Sequence, residues 1–263
     1  MLRSIPKQGG AETILYQTTN CQNCDNLSLA VDDDEVFFFV FQGGNRLLAV
    51  PKTGGSPRMV TSLTGAWPLQ LTYAAGNLYW YQSGEGFYRV AATGGTAGPP
   101  FYGGNAFVSR MVAVSGGLIW VHKEPGIVVR FNLGTLEPTT LANLGDAICG
   151  LATDGTKGYW AACGWPSTVF AQGTTEPFAQ SIDLRGPPGG DSTELGSVAI
   201  DGDWVYFLEY GQLDRTPKAG GGPAEARAWA EGDQNVLAIH IIGFDENYAY
   251  LHGRSARIYR VPK

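Results

Sequence analysis

The segment VAIDGDWVYFLEY (198–210), continued by QLDRTPKAGGG (212–222), contains the pattern that decides the fold. An apolar strand leads into a turn of Asp and Gly. An aromatic strand follows, and after a loop an alternating strand ends in glycines. The aromatic strand recurs in five other places along the chain. Its aligned central residues lie 40 to 47 residues apart, and they are Phe39, Trp80, Trp120, Trp160, Phe207 and Leu251. The chain is therefore built of six repeats.

Each repeat contains four predicted strands, which we name A to D. Strands A and B occupy 29–41, 71–82, 112–122, 151–163, 198–210 and 242–253. Strand C occupies 46–55, 86–95, 127–135, 167–175, 212–222 and 256–263. It ends in a Gly-bearing turn, where glycine takes positive φ without steric cost, and a strand D such as SPRMVTS (56–62) follows. Repeats of roughly 40–45 residues with four strands each predict an all-β chain that folds as a six-bladed β-propeller.

The sixth repeat stops after its third strand, and its fourth strand is expected at the other end of the chain. PKQGGAETILYQ (6–17) matches PKTGGSPRMVTS (51–62) position for position, so residues 11–17 are expected to complete the last blade. Such a closure removes open sheet edges and makes 1–263 a single domain. LRSIPK (2–7) also resembles the end of strand C, a place that Ile258–Lys263 should already fill. The alternative is excision from a longer array, which would leave a fragment or an engineered chain with no function of its own.

The repeat resembles a family of bacterial six-bladed propellers with V-D-x-x-x-V-Y-W … I-Y-R-V-P-K-x-G-G units. VAIDGDWVYF (198–207), GFYRVAATGG (86–95) and ARIYRVPK (256–263) carry the resemblance, which covers essentially the whole chain. The chain is more loosely similar to the TolB, NHL and YWTD propellers. It departs from the pattern at NLGTLEP (132–138) and FAQGTTEP (170–177). The resemblance implies a fold rather than a function, because propellers bind, scaffold and catalyse.

Composition excludes several classes of protein. The 263 residues include 18 Lys+Arg and 24 Asp+Glu, a net charge of −6, which argues against a nucleic-acid groove or a polybasic membrane anchor. Charged residues make up only 16% and glycines number 37, which suits a turn-rich β protein and not a coiled coil or a disordered chain. The longest strongly apolar run, VFFFVF (36–41), is far shorter than the roughly 18–20 residues of a membrane helix. We expect a monomer without a membrane span.

Four cysteines bear on the compartment. Cys21 and Cys24 lie in a polar loop and are expected to form a loop disulfide, with a zinc half-site or free thiols as alternatives. Cys149 and Cys163 are expected to face each other across the hairpin of strands A and B and to form a disulfide, the alternative being two small buried thiols. Two disulfides would indicate an oxidising compartment, so we predict a secreted or periplasmic protein. MLRSIPKQGG (1–10) shows no signal peptide, so an export signal would have been removed.

A ligand site is expected where the B-to-C and D-to-A loops meet on one face, by analogy with other propellers. Aromatic rings with a few polar groups could bind a sugar, a peptide or an apolar molecule. The alternative is that these residues are solvated or pack between blades. The candidate ligand-binding residues are Trp67, Tyr81, His122, Trp165, Tyr210 and His252.

Catalytic motifs are absent: the sequence has no G-x-S-x-G, P-loop or H-E-x-x-H. The remaining enzyme hypothesis is a lyase or hydrolase site of His122, Glu209 and His252, in the manner of streptogramin lyases. Three histidines are expected on three different repeats, with His240 in the core, and no metal or cofactor is expected. VDDDE (31–35) is interpreted as a turn rather than a calcium loop.

Two recurring residue types are interpreted as structural: the aromatic residues of strand B, and the arginines of strand C (Arg89, Arg130, Arg215 and Arg260). The sequence favours a non-enzymatic, exported propeller that presents a loop face to a protein, peptide or glycan, or that serves as a scaffold.

Overall fold

The computed structural model describes most of the chain and shows only strands and turns. The described residues are 2–4, 6, 11–17, 28–41, 44–65, 67–103, 108–122, 126–145, 147–162, 168–173, 182–183, 195–209, 212–220, 225–228, 238–253 and 258–263. Within them, no helix has the length and apolar character needed to cross a membrane. The chain divides into two compact units, Met1–Ala106 and Phe107–Lys263.

The first unit contains three antiparallel sheets, each ordered as in the sequence. The two-stranded sheet consists of β1 (Leu2–Ser4) and β2 (Thr13–Tyr16). The four-stranded sheet consists of β3 (Leu29–Val31), β4 (Glu35–Val40), β5 (Arg46–Pro51) and β6 (Arg58–Ser62). The three-stranded sheet consists of β7 (Pro68–Ala74), β8 (Asn77–Gln82) and β9 (Gly86–Ala91).

The second unit contains four antiparallel sheets with the same meandering order. The third repeat forms β10 (Val108–Val114), β11 (Gly117–His122), β12 (Ile127–Asn132) and β13 (Glu137–Asn143). The fourth forms β14 (Ile148–Thr153), β15 (Lys157–Ala162), β16 (Thr168–Gly173) and β17 (Ile182–Asp183). The fifth forms β18 (Leu195–Asp201), β19 (Trp204–Glu209), β20 (Gln212–Pro217) and β21 (Glu225–Ala228). The sixth forms β22 (Ala238–Phe244), β23 (Tyr248–Gly253) and β24 (Ile258–Pro262). The prediction of an all-β chain of small meandering sheets is confirmed.

Strand D carries a bulge at the same place in several repeats. The register shifts by one residue between Leu47 and Leu48, and again between Val128 and Val129. The extra residues on strand D are Val60 and Leu141, which are 3% and 1% exposed. A bulge adds one residue and sharpens the local twist. Here the added residue joins the core, so the bulge is part of the packing.

The β1–β2 pair reproduces the pair of strands C and D in the next sheet. Leu2 pairs with Tyr16, and after a register shift Arg3 pairs with Ile14. These residues lie 45 positions before their counterparts in β5–β6, which pair in the same register. Residues 2–4 thus form a strand C, as their sequence resemblance indicated. The predicted ring closure would require the same edge of β2 to pair with the last strand of the sixth repeat instead. Ring closure and the number of blades therefore stay predictions.

The aromatic residues of strand B fill the core, as predicted. Trp80, Trp120 and Trp160 are at most 1% exposed. Trp160 of β15 packs against Ile119 and Val121 of β11, so it joins two neighbouring sheets. Fully burying a large apolar side chain contributes roughly 2–3 kcal/mol, so these contacts dominate the attraction between sheets.

The predicted register of the fourth hairpin is wrong by one residue. Thr153 pairs with Gly158 and Ile148 pairs with Ala162, and Cys149 lies at the register shift between them. The cause is a turn of four residues, 154–157, where three were expected, and the bulge at Cys149 adds a further shift of one residue. Cys149 is disulfide-bonded. Its predicted partner Cys163 lies outside the described residues, as do Cys21 and Cys24.

The acidic residues of the A-to-B turns hold the turns, as predicted. One carboxylate oxygen of Asp32 accepts hydrogen bonds from the backbone N–H groups of Asp34 and Glu35 at 2.9 and 2.7 Å. Asp154 and Asp245 accept the equivalent pairs of backbone hydrogen bonds in their own turns. The acidic clusters therefore act as turn-forming side chains.

Candidate functional site

Trp67 lies on the surface, as a candidate ligand-binding residue must. Its side chain is 48% exposed. The ring lies against Phe41, with centroids 4.6 Å apart. Phe41 is partly buried against the core, so Trp67 is the exposed member of this pair, which belongs to the first compact unit.

Tyr81 does not lie in an exposed loop, contrary to expectation. Its side chain is 1% exposed and packs against Phe87, with ring centroids 5.2 Å apart. The reason is that β8 continues to Gln82, so Tyr81 belongs to the strand and not to the loop after it. Tyr81 is thereby part of the core.

His122 is half-buried at the end of β11. The indole N–H of Trp120 donates to its Nε2 at 3.2 Å. This leaves the proton of the neutral ring on Nδ1, which is buried without a hydrogen-bond partner among the residues that the structure describes. Desolvation by burial lowers the pKa of His122. The imidazole is therefore neutral at pH 7.

The remaining predicted site residues are not brought together by the described structure. Trp165 and Tyr210 lie outside the described residues, and the side chains of Glu209 and His252 do so as well. The histidines do not occupy three repeats: His240 and His252 are Cα partners in the sheet of β22 and β23. The described residues contain no group of three side chains that could hold a metal ion.

The hairpin of β8 and β9 is held by a polar network at its loop. The amide of Gln82 donates to the carbonyl of Thr64 at 2.6 Å and to the carboxylate of Glu85 at 2.7 Å. The hydroxyl of Tyr88 donates to the same carboxylate at 2.6 Å. Desolvation by burial, together with this hydrogen bond and the charge of Glu85, raises the pKa of Tyr88 to about 12. These bonds fix the start of β9.

Beside β9 lies a cleft of about 430 Å³, which we call the β9 cleft. Residues that line it include Asn77, Arg89, Gly98, Pro99, Pro100 and Phe101. In the first four-stranded sheet the equivalent space is filled by strand D, β6. In the second repeat, Pro99 and Pro100 take the places of Met59 and Val60. Proline has no N–H to donate to a strand ladder, so the described residues leave this sheet with three strands.

The outer edge of β9 is covered only at its beginning. The backbone N–H of Phe87 donates to the carbonyl of Tyr102 at 2.8 Å, and the N–H of Phe101 donates to the carbonyl of Phe87 at 2.8 Å. Beyond this single bridge, no strand among the described residues pairs with the outer edge of β9, whose inner edge pairs with β8. The edge at Arg89 therefore faces the cleft.

Arg89 differs from the other described arginines of strand C. Arg215 stacks on the ring of Trp204 at 3.8 Å, and Arg130 donates to the carbonyl of Ser115 at 3.3 Å, as expected of structural residues. Arg89 is exposed, and no carboxylate of the described residues forms a salt bridge with it. The side chain of Arg260 is not described. The β9 cleft therefore holds a cation without a counter-ion from the described part of the chain.

The sequence analysis missed this cleft, although the sequence contains its signal. The dipeptide Pro99-Pro100 stands where strand D is needed, and a proline pair cannot continue a ladder. The sequence patterns predict a site on the loop face and four strands in every repeat, so they do not point to this cleft.

Comparisons with known proteins identify the fold. No family model matches the chain, and no curated protein matches its sequence. A chain of the structure of YCF48 bound to D1 peptide is similar, with TM-score 0.67, 12% identity, and coverage of 94% of this chain and 82% of that one. The computationally designed Ika8 protein has TM-score 0.65 and 12% identity, over 90% and 83% of the two chains. A chain of the nidogen/laminin complex has TM-score 0.57 and 14% identity, over 73% and 76%.

These similarities, with the repeated antiparallel sheets, establish an all-β chain of the β-propeller fold. At such identities they indicate fold and not function.

Proposed function

We propose that this chain is a non-enzymatic binding module that takes a protein or peptide partner. The β9 cleft is the observation that carries this proposal. Its volume of about 430 Å³ lies within the usual range of ligand sites, about 300–1,000 Å³. It offers an uncovered strand edge, a cation and proline rings, which suit a peptide.

The fold is compatible with such a role. Two of the similar structures are complexes of other proteins: YCF48 bound to D1 peptide, and nidogen with laminin. Exposed Trp67, backed by the partly buried ring of Phe41, offers a second aromatic surface. A glycan partner and a lyase or hydrolase activity stay predictions.

We propose further that the molecule is an exported, six-bladed member of the bacterial repeat family, closed by residues 11–17. The disulfide at Cys149 supports an oxidising compartment, because such bonds persist there and not in a reducing cytosol. Alkylation and mass measurement of the purified chain, with and without reduction, would count the disulfides. Four alkylated cysteines without reduction would contradict export.

A peptide-display selection tests the binding proposal. The purified chain would be immobilised and offered a random library of displayed peptides. Enriched peptides, resynthesised, should bind the free chain in solution by calorimetry. The affinity of each peptide would then be measured for the variants Trp67→Ala, at the aromatic surface, and Arg89→Gln, at the β9 cleft.

The outcomes separate the proposal from its alternatives. Peptides that lose affinity with either variant support a peptide-binding module and identify the surface. A selection that yields no peptide with measurable affinity in solution contradicts the proposal.

A further inference from the structure

We propose that the β9 cleft binds an extended peptide as an added strand, and that the peptide places one aspartate or glutamate opposite Arg89. This inference rests on the proposed function and specifies its surface and partner. It follows from the backbone at the edge of β9, from the pairing of strand C elsewhere in the chain, and from the charge in the cleft.

The backbone of Arg89 is positioned to receive a strand. Phe87 directs its N–H and C=O outward, as its bonds to Phe101 and Tyr102 show. Backbone groups alternate in direction along a strand, so those of Arg89, two residues further, face outward too. The carbonyl of Ala91, the next in this series, already accepts from Gly94 at 2.9 Å. The uncovered edge is therefore short: one residue of a partner can form both ladder bonds with Arg89.

One repeat of the chain places an acidic residue opposite the arginine of strand C. In the fifth repeat, Arg215 stands at the place of Arg89, and its register partner on strand D is Glu225. In the second repeat the residue equivalent to Glu225 is Gly98, which has no side chain. Direct partners across an antiparallel pair lie on the same face, where opposite charges attract. In the third repeat the register partner of Arg130 is Thr139, so an acidic partner occurs in one of these two repeats. A peptide that supplies a carboxylate opposite Arg89 would reproduce the residue types of the fifth repeat.

The pairing with the inner neighbour determines the face of the sheet on which Arg89 lies. Arg89 pairs in register with Tyr79, so both side chains lie on one face of the sheet. Tyr79 is 3% exposed and contacts Phe101 edge-on, with centroids 6.0 Å apart. The packed rings of Tyr79 and Phe101 therefore lie on the face of the sheet that carries Arg89. A charged hydrogen bond to a carboxylate is stronger there than between neutral groups.

The net charge of the chain limits how acidic the partner can be. The chain carries −6, so a run of acidic residues would be repelled by the rest of the surface. A single acidic residue within a neutral, β-prone peptide is the favoured partner.

A designed peptide tests this inference. The probe is the blocked pentapeptide Thr-Val-Glu-Val-Thr, titrated into the full chain by calorimetry. Its first control replaces Glu with Gln, and its second carries an N-methyl group on the Glu nitrogen, which removes the ladder donor. Both controls should bind about tenfold more weakly or worse, since each loses a hydrogen bond that the probe forms.

Three protein variants locate the site. Arg89→Gln should weaken binding of the Glu peptide about tenfold while leaving the Gln peptide unchanged. Lys52→Gln, which removes an exposed cation after β5, should change nothing. Pro99→Met with Pro100→Val restores the residues of β6 and should abolish binding, because the chain's own strand D would cover β9.

Each contrary result is informative. Equal binding of the N-methyl peptide would exclude strand addition, and equal effects of Arg89→Gln and Lys52→Gln would exclude the ion pair. No binding at millimolar probe would mean that Arg89 and the prolines only protect an open edge. If selected peptides nevertheless bind in a manner sensitive to Trp67→Ala, the proposed function stands and this inference fails; if none binds, both fail.

Discussion

At the scale of single residues, the same residue type can serve two roles in repeats of one chain. Arg215 is held by the ring of Trp204, and Arg130 by a backbone carbonyl. Arg89 stands at the same point of its repeat, yet it faces a cleft because Gly98 and two prolines follow it. What an arginine does here is decided by the residue opposite on strand D.

Asp154 is a residue whose charge should make stability depend on pH. Desolvation by burial opposes its ionisation, but hydrogen bonds from Lys157, Thr156 and Tyr159 outweigh that effect and lower its pKa well below the usual range. A carboxylate with a depressed folded-state pKa contributes stability that is present above its unfolded pKa, about 3.9, and is lost as pH falls further.

We therefore predict that Asp154→Asn lowers the free energy of unfolding at pH 7 by about 1 kcal/mol. The deficit should shrink as pH falls below about 4, because the carboxylate of the unfolded wild-type chain then binds a proton while that of the folded chain stays ionised. Urea unfolding at pH 7 and pH 3 measures both values. Asp33→Asn, at an exposed position of another turn, is the control and should have little effect at either pH. A deficit for Asp154→Asn that is unchanged at pH 3 would contradict this assignment.

Residue patterns allowed part of the molecule to be predicted. The aromatic positions of strand B and the turn-forming aspartates follow from spacing and residue type alone, and the structure confirms both. The exposure of Tyr81 could not be predicted, because it depends on whether strand B ends one residue earlier or later. The register of the fourth hairpin was mispredicted for a similar reason, since its turn contains four residues rather than three and a bulge lies at Cys149.

At the scale of elements, the turn after strand C shows how a repeat tolerates departure from its own pattern. Gly54 and Gly94 take positive φ in the first two repeats, at 85° and 110°. In the third repeat, where the glycine pair is missing, Leu136 takes φ of 60°. Its backbone N–H donates to the carbonyl of Asn132, four residues back, at 2.9 Å, whereas Gly54 and Gly94 donate to carbonyls three residues back. The third repeat therefore closes strand C with a different turn, in which a non-glycine residue takes a strained conformation.

We predict that Leu136→Gly raises the free energy of unfolding by about 0.5–1 kcal/mol, since relief of left-handed strain exceeds the entropy cost of glycine. The side chain is 43% exposed, so little packing is lost. The reverse change, Gly54→Ala, should destabilise by about 1 kcal/mol. Urea denaturation of the three proteins measures the differences. A destabilised Leu136→Gly variant would show that its side chain matters more than its backbone.

Strand D is the element that varies most between repeats. Its bulge recurs with a buried apolar residue in the first and third repeats, whereas prolines replace it in the second. The loss of pairing between strands C and D in the second repeat can be predicted from its prolines. The shape of the resulting cleft cannot, because it depends on where Thr96, Pro99 and Phe101 lie beside β9.

At the scale of the whole molecule, the proposed ring closure needs β2 to pair with the last strand of the chain. By alignment of Pro6-Lys7 with Pro262-Lys263, Tyr259 is the counterpart of Arg3. In the structure Arg3 is the Cα partner of Ile14. Ile14 can therefore pair with Arg3 or with Tyr259, but not with both at once.

Disulfide trapping can decide which strand pairs with β2. We predict that Ile14→Cys combined with Tyr259→Cys forms a cross-link under mild oxidation, because closure sets the two residues opposite each other. The parallel variant combines Ile14→Cys with Arg3→Cys. Peptide mapping by mass spectrometry identifies each link beside the native cysteines. A link in the second variant alone would contradict closure.

The most direct test of the account is residue-resolved amide exchange by NMR, with and without the Thr-Val-Glu-Val-Thr peptide. Ala49 pairs with Arg58 on strand D, whereas its counterpart Arg89 has no such partner among the described residues. We predict that the Arg89 amide exchanges much faster than that of Ala49 in the free chain and slows when the peptide binds. An Arg89 amide that is as protected as Ala49 without peptide, or that saturating peptide leaves unchanged, would contradict the account.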